Sequence, residues 1–265
     1  MQFFRLLWVF TWKQALCCIF PGIIFISLAL TKLIDIPFIA RYDLLLIICL
    51  GTQVLLIKFG LETWDELKVI MVFHLIGLGL EIYKVHMGSW SYPEPGLMKL
   101  FGVPLYSGFM YSSVASYICQ AWKRFDLKMT NWPNIWLVSS LCITIYANFF
   151  THHFIMDFRW ILIVLVLFRK TYVYFKVSST QLKMPLSFSF LCIAFFIYLA
   201  ENIASFYGAW SYPDQLIAWR PVHVSKITSW YLLVIISIII VAQLKFVKQK
   251  LEQTSVKAKS EATLK

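Results

Sequence analysis

The stretch MGSWSYPEPG, Met87–Gly96, recurs as YGAWSYPDQL, Tyr207–Leu216. Gly88, Trp90, Ser91, Tyr92, Pro93 and Glu94 match Gly208, Trp210, Ser211, Tyr212, Pro213 and Asp214 at a constant offset of 120 residues. The flanks keep that offset: Glu81 stands seven residues before Gly88 in the apolar run VFHLIGLGLEIY, and Glu201 seven before Gly208 in CIAFFIYLAENI. Chance can repeat five residues, but a glutamate, a glycine, a tryptophan and an acid sharing one offset read as an internal duplication, and a duplication of this length sets the fold.

Sixty per cent of the 265 residues are hydrophobic and fourteen per cent charged, with a mean hydropathy of +0.73. One soluble core cannot hide so much apolar surface, so the chain is read in a bilayer. Runs long enough for about 30 Å of hydrocarbon, roughly 20 residues each, are predicted near Ala15–Leu33, Leu44–Gly60, Leu67–Met87, Pro104–Trp122, Ile135–Thr151, Phe158–Phe175, Leu186–Tyr207 and Val224–Phe246. The sixth is the weakest, because Arg169 and Lys170 close it and must snorkel to the interface. Phe3, Leu6, Leu7 and Phe10 at helical spacing, with Trp8, Trp12, Arg5 and Lys13 beside them, read as an interfacial lead-in helix or as an extension of the first span. The expected organisation is a first four-helix repeat over 1–130, a second over 131–246, and a basic, disordered tail over 247–265.

A net charge of +11 suggests nucleic acid in a soluble protein and cytoplasmic loops in a membrane protein. The distribution favours the second. With the N-terminus inside, the cytoplasmic segments hold the basic residues of the start, of 58–68, 123–128, 169–183 and of the tail. Only Lys32, Arg41, Lys84, Lys99, Arg159, Arg220 and Lys226 fall outside. Both termini are expected in the cytoplasm and both WSYP loops on the outer face. The six cysteines lie within predicted spans and read as small apolar side chains.

Four predicted spans separate Glu81 from Glu201, so the two glutamates approach one membrane face in the same direction and the repeats are parallel. An ionisable group in a span costs about 2.5–3.5 kcal/mol on insertion scales and is normally turned inward and paired. Glu81 and Glu201 are therefore read as functional, with a helix-packing hydrogen bond as the alternative. Trp90, Tyr92, Trp210 and Tyr212 are either interfacial anchors or pocket walls. Glu94, Asp214, Asn148, His152, Asp157, Arg159, Asn202, Arg220 and His223 collect on the same side, and Asn148 and His152 share a helical stripe.

Three chemistries fit such a cluster. A divalent metal would recruit His86, His152, His153, His223 and a carboxylate, but no H-E-x-x-H spacing occurs and no cofactor is expected. Proton or ion coupling would use Glu81, His74 and Glu201 as a relay. Acid chemistry on a lipid would use the two glutamates in protonated form. The sequence has no P-loop, GxGxxG or nucleophile elbow, which argues against nucleotide-driven and serine-hydrolase mechanisms.

At ENIASFYGAWSYPD (201–214) and GSWSYPEPGLMKLFGVPLYSGFMYSSVASYICQAW (88–122) the chain resembles the YoaT-like family of bacterial multi-pass membrane proteins, whose label is a domain of unknown function. The resemblance covers most of the chain and implies no activity. A thinner one is to lycopene cyclase domain and carotenoid hydratase membrane proteins, carried by Gly88, Trp90, Tyr92, Gly102 and Pro104. Where those cyclases place two acids, this chain has Leu105, Tyr106 and Ser107, so this likeness implies an isoprenoid or lipid pocket and not cyclisation.

These readings combine into an all-α polytopic membrane protein of about eight transmembrane helices in two parallel four-helix repeats, located in the cell membrane. Its outer-leaflet polar pocket is expected to bind or modify a lipid or isoprenoid. A proton- or ion-coupled transporter is the alternative, and a structural or partner-binding membrane protein the third reading. Membrane lipid and a hydrophobic small molecule are the expected partners, with no nucleic acid.

Overall fold

The computed structural model describes residues 2–34, 36–164, 168 and 170–263, with side chains as far as Lys248. Helices α1 (Gln2–Cys17) and α2 (Ile19–Leu33) meet at an angle of 68°. Pro21 accounts for the break: its ring collides with the carbonyl four residues earlier, that of Cys17, and it has no N–H to donate. The predicted first span Ala15–Leu33 is therefore divided, its first residues belonging to α1 and the rest to α2. α1 leaves Phe3, Phe4, Leu7, Trp8 and Trp12 exposed on one face.

Helices α3 (Arg41–Lys58) and α4 (Trp64–His86) follow. Thr63 caps α4 reciprocally with Glu66: each side chain accepts the other's backbone N–H, a capping box. The fully buried Glu66 carboxylate also takes the ammonium groups of Lys123 at 2.6 Å and Lys245 at 2.5 Å. It thereby ties α4 to helices α5 (Tyr106–Arg124) and α9 (Lys226–Thr263). α5 is the central helix. It packs closely on α4 because Gly77 and Gly108 have no side chain; a Cβ on Gly77 would stand 2.4 Å from Cγ of Tyr111. Protein surrounds α5, so it can bury Ser107, Ser112, Ser113, Ser116 and Gln120; Ser112, for example, donates to the carbonyl of Ile70 at 3.0 Å.

Helices α6 (Ile135–Thr151), the short α7 (Arg159–Val164) and α8 (Leu186–Phe206) are the remaining α-helices among the described residues, with a single 3-10 turn at Pro213–Gln215. The expectation of an all-α fold is corrected by two small sheets among the described residues. Strands β1 (Lys99–Leu100) and β2 (Val103–Pro104) form a tight hairpin. Strands β3 (Lys128–Thr130), β4 (Tyr172–Val177) and β5 (Thr180–Pro185) form an antiparallel sheet that joins the two expected halves. The sixth predicted span, Phe158–Phe175, is accordingly no single helix. After α7 the chain enters β4, where Val173, Phe175 and Val177 are buried and the residues between them are not. That two-residue period belongs to a half-buried strand. Arg159 bonds to Ser229 in the first turn of α9, whereas Thr171 bonds to Asn131 beside β3.

The expected end of the last helix near Phe246 also moves: α9 continues to Thr263 through residues that include neither Gly nor Pro, the two worst helix formers. Among the described residues three helices are long and apolar enough to cross a membrane, Trp64–His86, Leu186–Phe206 and Lys226–Lys248, or four if the bent α1–α2 pair counts as one. Of the other predicted spans, α3 carries Arg41, Asp43 and Lys58 in its 18 residues, α5 is polar, and α6 has 17 residues. One apolar core lies among α4, α5, α6, α8 and α9, around Phe73, Ile118, Ile145, Phe190 and Ile235. A second, around Phe20, Leu45 and Phe109, supports the WSYP loops.

Candidate functional site

Helices α4 and α8 end in the same way. Gly88 and Gly208 both take φ of +68°, the left-handed conformation that an L side chain resists. That turn lets the N–H of Ser89 reach the carbonyl of Lys84 at 2.9 Å and the N–H of Ala209 reach that of Ala204 at 3.0 Å, closing each helix with a Schellman-type bond. The two WSYP segments then meet: Ser91 and Ser211 exchange both backbone N–H···O bonds at 2.9 Å as an antiparallel bridge. Both helices therefore deliver their C-terminal ends to one place.

Beneath this bridge, the buried Glu81 carboxylate accepts from Trp90 Nε1 at 2.6 Å and Tyr92 Oη at 2.7 Å. Tyr111 on α5 adds a third bond at 2.7 Å. Glu201, also buried, accepts from the Tyr212 hydroxyl and from Trp230 Nε1 at 2.7 Å. Trp90 meets Tyr212 edge-on with ring centroids 6.0 Å apart, and the Lys226 ammonium lies over both rings, 5.0 Å from Trp90 and 4.6 Å from Tyr212. Three of the four motif aromatics, Trp90, Tyr92 and Tyr212, thus donate to the glutamates of a shared chamber.

The chamber has a basic rim. Lys84 Nζ lies 2.9 Å from His153 Nε2 and 3.2 Å from His152 Nε2. Arg159 donates through Nε to Asp157 at 2.5 Å and through Nη1 to Ser229 at 2.8 Å. Burial would raise the Asp157 pKa, but bonds from the Arg159 backbone, its guanidinium and Asn148 outweigh that and hold it below the usual carboxylate value. His152 and His153 are both held below the ordinary imidazole value, chiefly by burial and then by the Lys84 charge.

The chamber opens into a cavity of about 1130 Å³ bounded by α1–α2, α5, α8 and α9. Its polar end is lined by Glu81, Lys84, Trp90, Glu201, Tyr212 and Lys226, and it extends past Cys18, Tyr117 and Phe196 to Phe125 and to Phe175 on β4. Along α5 from Met110 to Phe125, this amounts to about 22 Å at roughly 1.5 Å per residue. Phe188 and Phe196 line it yet are 54% and 68% exposed, so it also opens sideways along α8.

Of the residues singled out from sequence, Glu81, Glu201, Trp90, Tyr92, Trp210 and Tyr212 converge, with Asn148, His152, Asp157 and Arg159 at the rim. The others lie apart from the chamber. Glu94 pairs with Lys32 and Arg41, and Arg41 in turn donates to the carbonyls of Tyr207 and Gly208, fastening the end of α8. Asn202 accepts from the Val222 N–H and holds the following loop. Asp214 and Arg220 are exposed, and exposed His223 bonds only Ser225. His74 is buried against Phe109, away from the glutamates. Among the described residues, no three His, Cys, Asp or Glu side chains form a group that could hold a metal.

Tyr111, Trp230, Lys84 and Lys226 were not singled out as site residues from sequence. Two signals point to them. Tyr111 and Tyr231 preserve the 120-residue offset, with Trp230 alongside, and Lys84, Arg159 and Lys226 are exceptions to the charge bias.

No solved structure matches this chain. It is 57% identical over 243 residues to a protein of Bacillus subtilis (strain 168) described as "Uncharacterized protein YoaT", a match that covers 91% of this chain and 92% of the relative. Neither this relative nor the family match bears on the likeness to the cyclases. Residues 6–238 match the family described as "Protein of unknown function (DUF817)", and the chain belongs to that family.

Proposed function

We propose that this chain is a multi-pass protein of the cell membrane, built from two parallel halves related by the 120-residue duplication. Its cavity binds an elongated apolar molecule, a lipid or isoprenoid, with the polar end at the Glu81–Glu201 chamber. The observation that carries this reading is the shape and chemistry of the cavity: one polar end, largely apolar walls over about 22 Å, and an opening along α8. Its volume of about 1130 Å³ exceeds the roughly 300–1,000 Å³ of sites for drug-sized ligands. On this reading both termini are cytoplasmic and the WSYP bridge faces outward.

Mass spectrometry of molecules extracted from protein purified in mild detergent tests the proposal. Wild type should retain a prenyl or acyl compound enriched over the bulk membrane, and Ala200→Phe with Ser189→Phe, which fill the cavity, should release it. Retention of the same compounds by the filled variant, in bulk-membrane proportions, would refute it. A second reading, movement of an amphipathic molecule between leaflets, rests on the cavity lining reaching both ends of α5; headgroup exchange in proteoliposomes would separate the two.

A further inference from the structure

The chamber's hydrogen-bonding inventory is lopsided. Its carboxylates are largely occupied: Glu81 accepts three bonds, Glu201 two, and Asp157 is held by Arg159 and Asn148. The spare capacity lies on cations. Lys84, only 5% exposed, has no carboxylate within ion-pair distance among the described residues and touches only the imidazoles of His152 and His153. Lys226 has no hydrogen-bond acceptor among the described residues and rests on aromatic faces. Arg159 uses Nε and Nη1, and its Nη2 has no partner among the described residues. Three cations from three helices, α4, α7 and α9, line one end of the same cavity.

A buried ammonium without a counterion is costly, because desolvation is not repaid by an ion pair. A ligand that fits must therefore bring acceptor oxygens to the unused donors of Lys84, Lys226 and Arg159, and an anionic one also gives Lys84 the ion-pair partner it lacks among the described residues. A hydroxyl supplies one acceptor and no charge, and a quaternary ammonium would be repelled. A phosphate-type oxyanion offers several acceptor oxygens in different directions, as donors converging from separate helices require. Resting on the lipid-binding reading above, we infer that the occupant is an anionic lipid whose phosphate-type headgroup is held by Lys84, Arg159 and Lys226, with its chain along α5. Glu81 and Glu201 position this site: by holding Trp90 and Tyr212 they hold the two rings that carry Lys226.

The test uses the full chain in mild detergent, with thermal melting read against added hexadecyl phosphate, hexadecanol, hexadecyltrimethylammonium or inorganic phosphate. Hexadecyl phosphate should protect at concentrations at least tenfold below hexadecanol. Lys226→Gln and Lys84→Gln should each weaken it by roughly ten- to hundredfold, the worth of a charge-assisted hydrogen bond, and leave hexadecanol unchanged. Equal protection by phosphate and alcohol, unaltered in both variants, would overturn the oxyanion site and leave the lipid-binding reading standing. Failure of every alkyl probe, with the cavity-filled variant behaving like wild type, would remove both. Protection by inorganic phosphate alone would support the oxyanion site and overturn its assignment to a lipid headgroup. If the Gln variants fail to fold, Lys226→Arg decides: it keeps the charge and should keep the preference.

Discussion

Gly77 and Gly79 lie two residues apart on α4, and adding one methyl group at each should give opposite results. A Cβ on Gly77 would meet Cγ, Cδ2 and Cβ of Tyr111 at 2.4, 2.5 and 2.7 Å. These atoms lie near the backbone of α5 and cannot swing aside like the tip of a long side chain. Gly77→Ala must therefore push α5 away or turn the Tyr111 ring, and either movement breaks the 2.7 Å bond to Glu81. Overpacking costs about 1–3 kcal/mol and a hydrogen bond to a charged group about 1.5–3 kcal/mol, so a loss of roughly 3–5 kcal/mol is expected. At about 2–4 °C per kcal/mol for a chain near this size, melting followed by tryptophan fluorescence should fall by roughly 10 °C. At Gly79 the only neighbour is the Tyr146 hydroxyl at 3.8 Å, an ordinary contact. Gly79→Ala should be neutral or stabilising by up to about 1 kcal/mol through helix propensity. Tyr111→Phe should be costly in wild type and nearly silent in the Gly77→Ala background. Equal melting temperatures for the two alanine variants would refute the close α4–α5 contact and its link to Glu81.

Cysteines at Ser91 and Ser211, in a background without the native six, should form a disulfide on mild oxidation. A hydrogen-bonded antiparallel pair places its Cα atoms about 5.5 Å apart, within disulfide reach; the gel shift after cleavage between the two sites reads it out. Each single cysteine should be labelled by an impermeant thiol reagent from the same side. Glu66→Gln keeps a capping-box partner for Thr63 but leaves Lys123 and Lys245 without their counterion, so stability should fall by about 2–4 kcal/mol, measured by thermal melting. His152 and His153 have lowered folded-state pKa values, so the unfolded chain takes up their protons first. Their contribution is present above the unfolded imidazole value of about 6.5 and is lost as pH falls from there through the folded values. The melting temperature should drop between pH 7 and 5, and His152→Gln with His153→Gln should flatten that slope.

Much of the site was legible because its parts lie close in sequence. Glu81, Trp90 and Tyr92, and likewise Glu201 and Tyr212, fall within eleven residues of each other across a helix end, a geometry that the Gly-x-Trp-Ser-Tyr spacing largely determines. Tyr111, Trp230 and Lys226 come from the helix that follows each loop, and no local pattern states which face of that helix turns inward. The β4–β5 hairpin was hidden for another reason: a hydropathy window sums Val173, Phe175 and Val177 without asking whether their period is two or 3.6. The α1–α2 break was written in the chain as Pro21, in the third helical position of α2, but an apolar run reads as continuous until the lost N–H and the ring clash are considered. The predicted span Pro104–Trp122 holds four serines and Gln120 that neighbouring helices cover, and hydropathy alone does not state which neighbours cover them.

The bend at Cys18 sets how a ligand would arrive. With α1 turned by 68° from α2, the cavity is open at Phe188 and Phe196, and on the lipid-binding function proposed above this is the side from which a lipid would enter. A molecule entering by this route would never need to dissolve in the aqueous phase, so its concentration per lipid, and not per litre, governs occupancy. Measured affinity should then scale with the detergent or lipid present, since each added micelle dilutes the ligand without touching the protein. Straightening the bend by Pro21→Ala would narrow that doorway and slow exchange in both directions, and it would leave the equilibrium largely where it was.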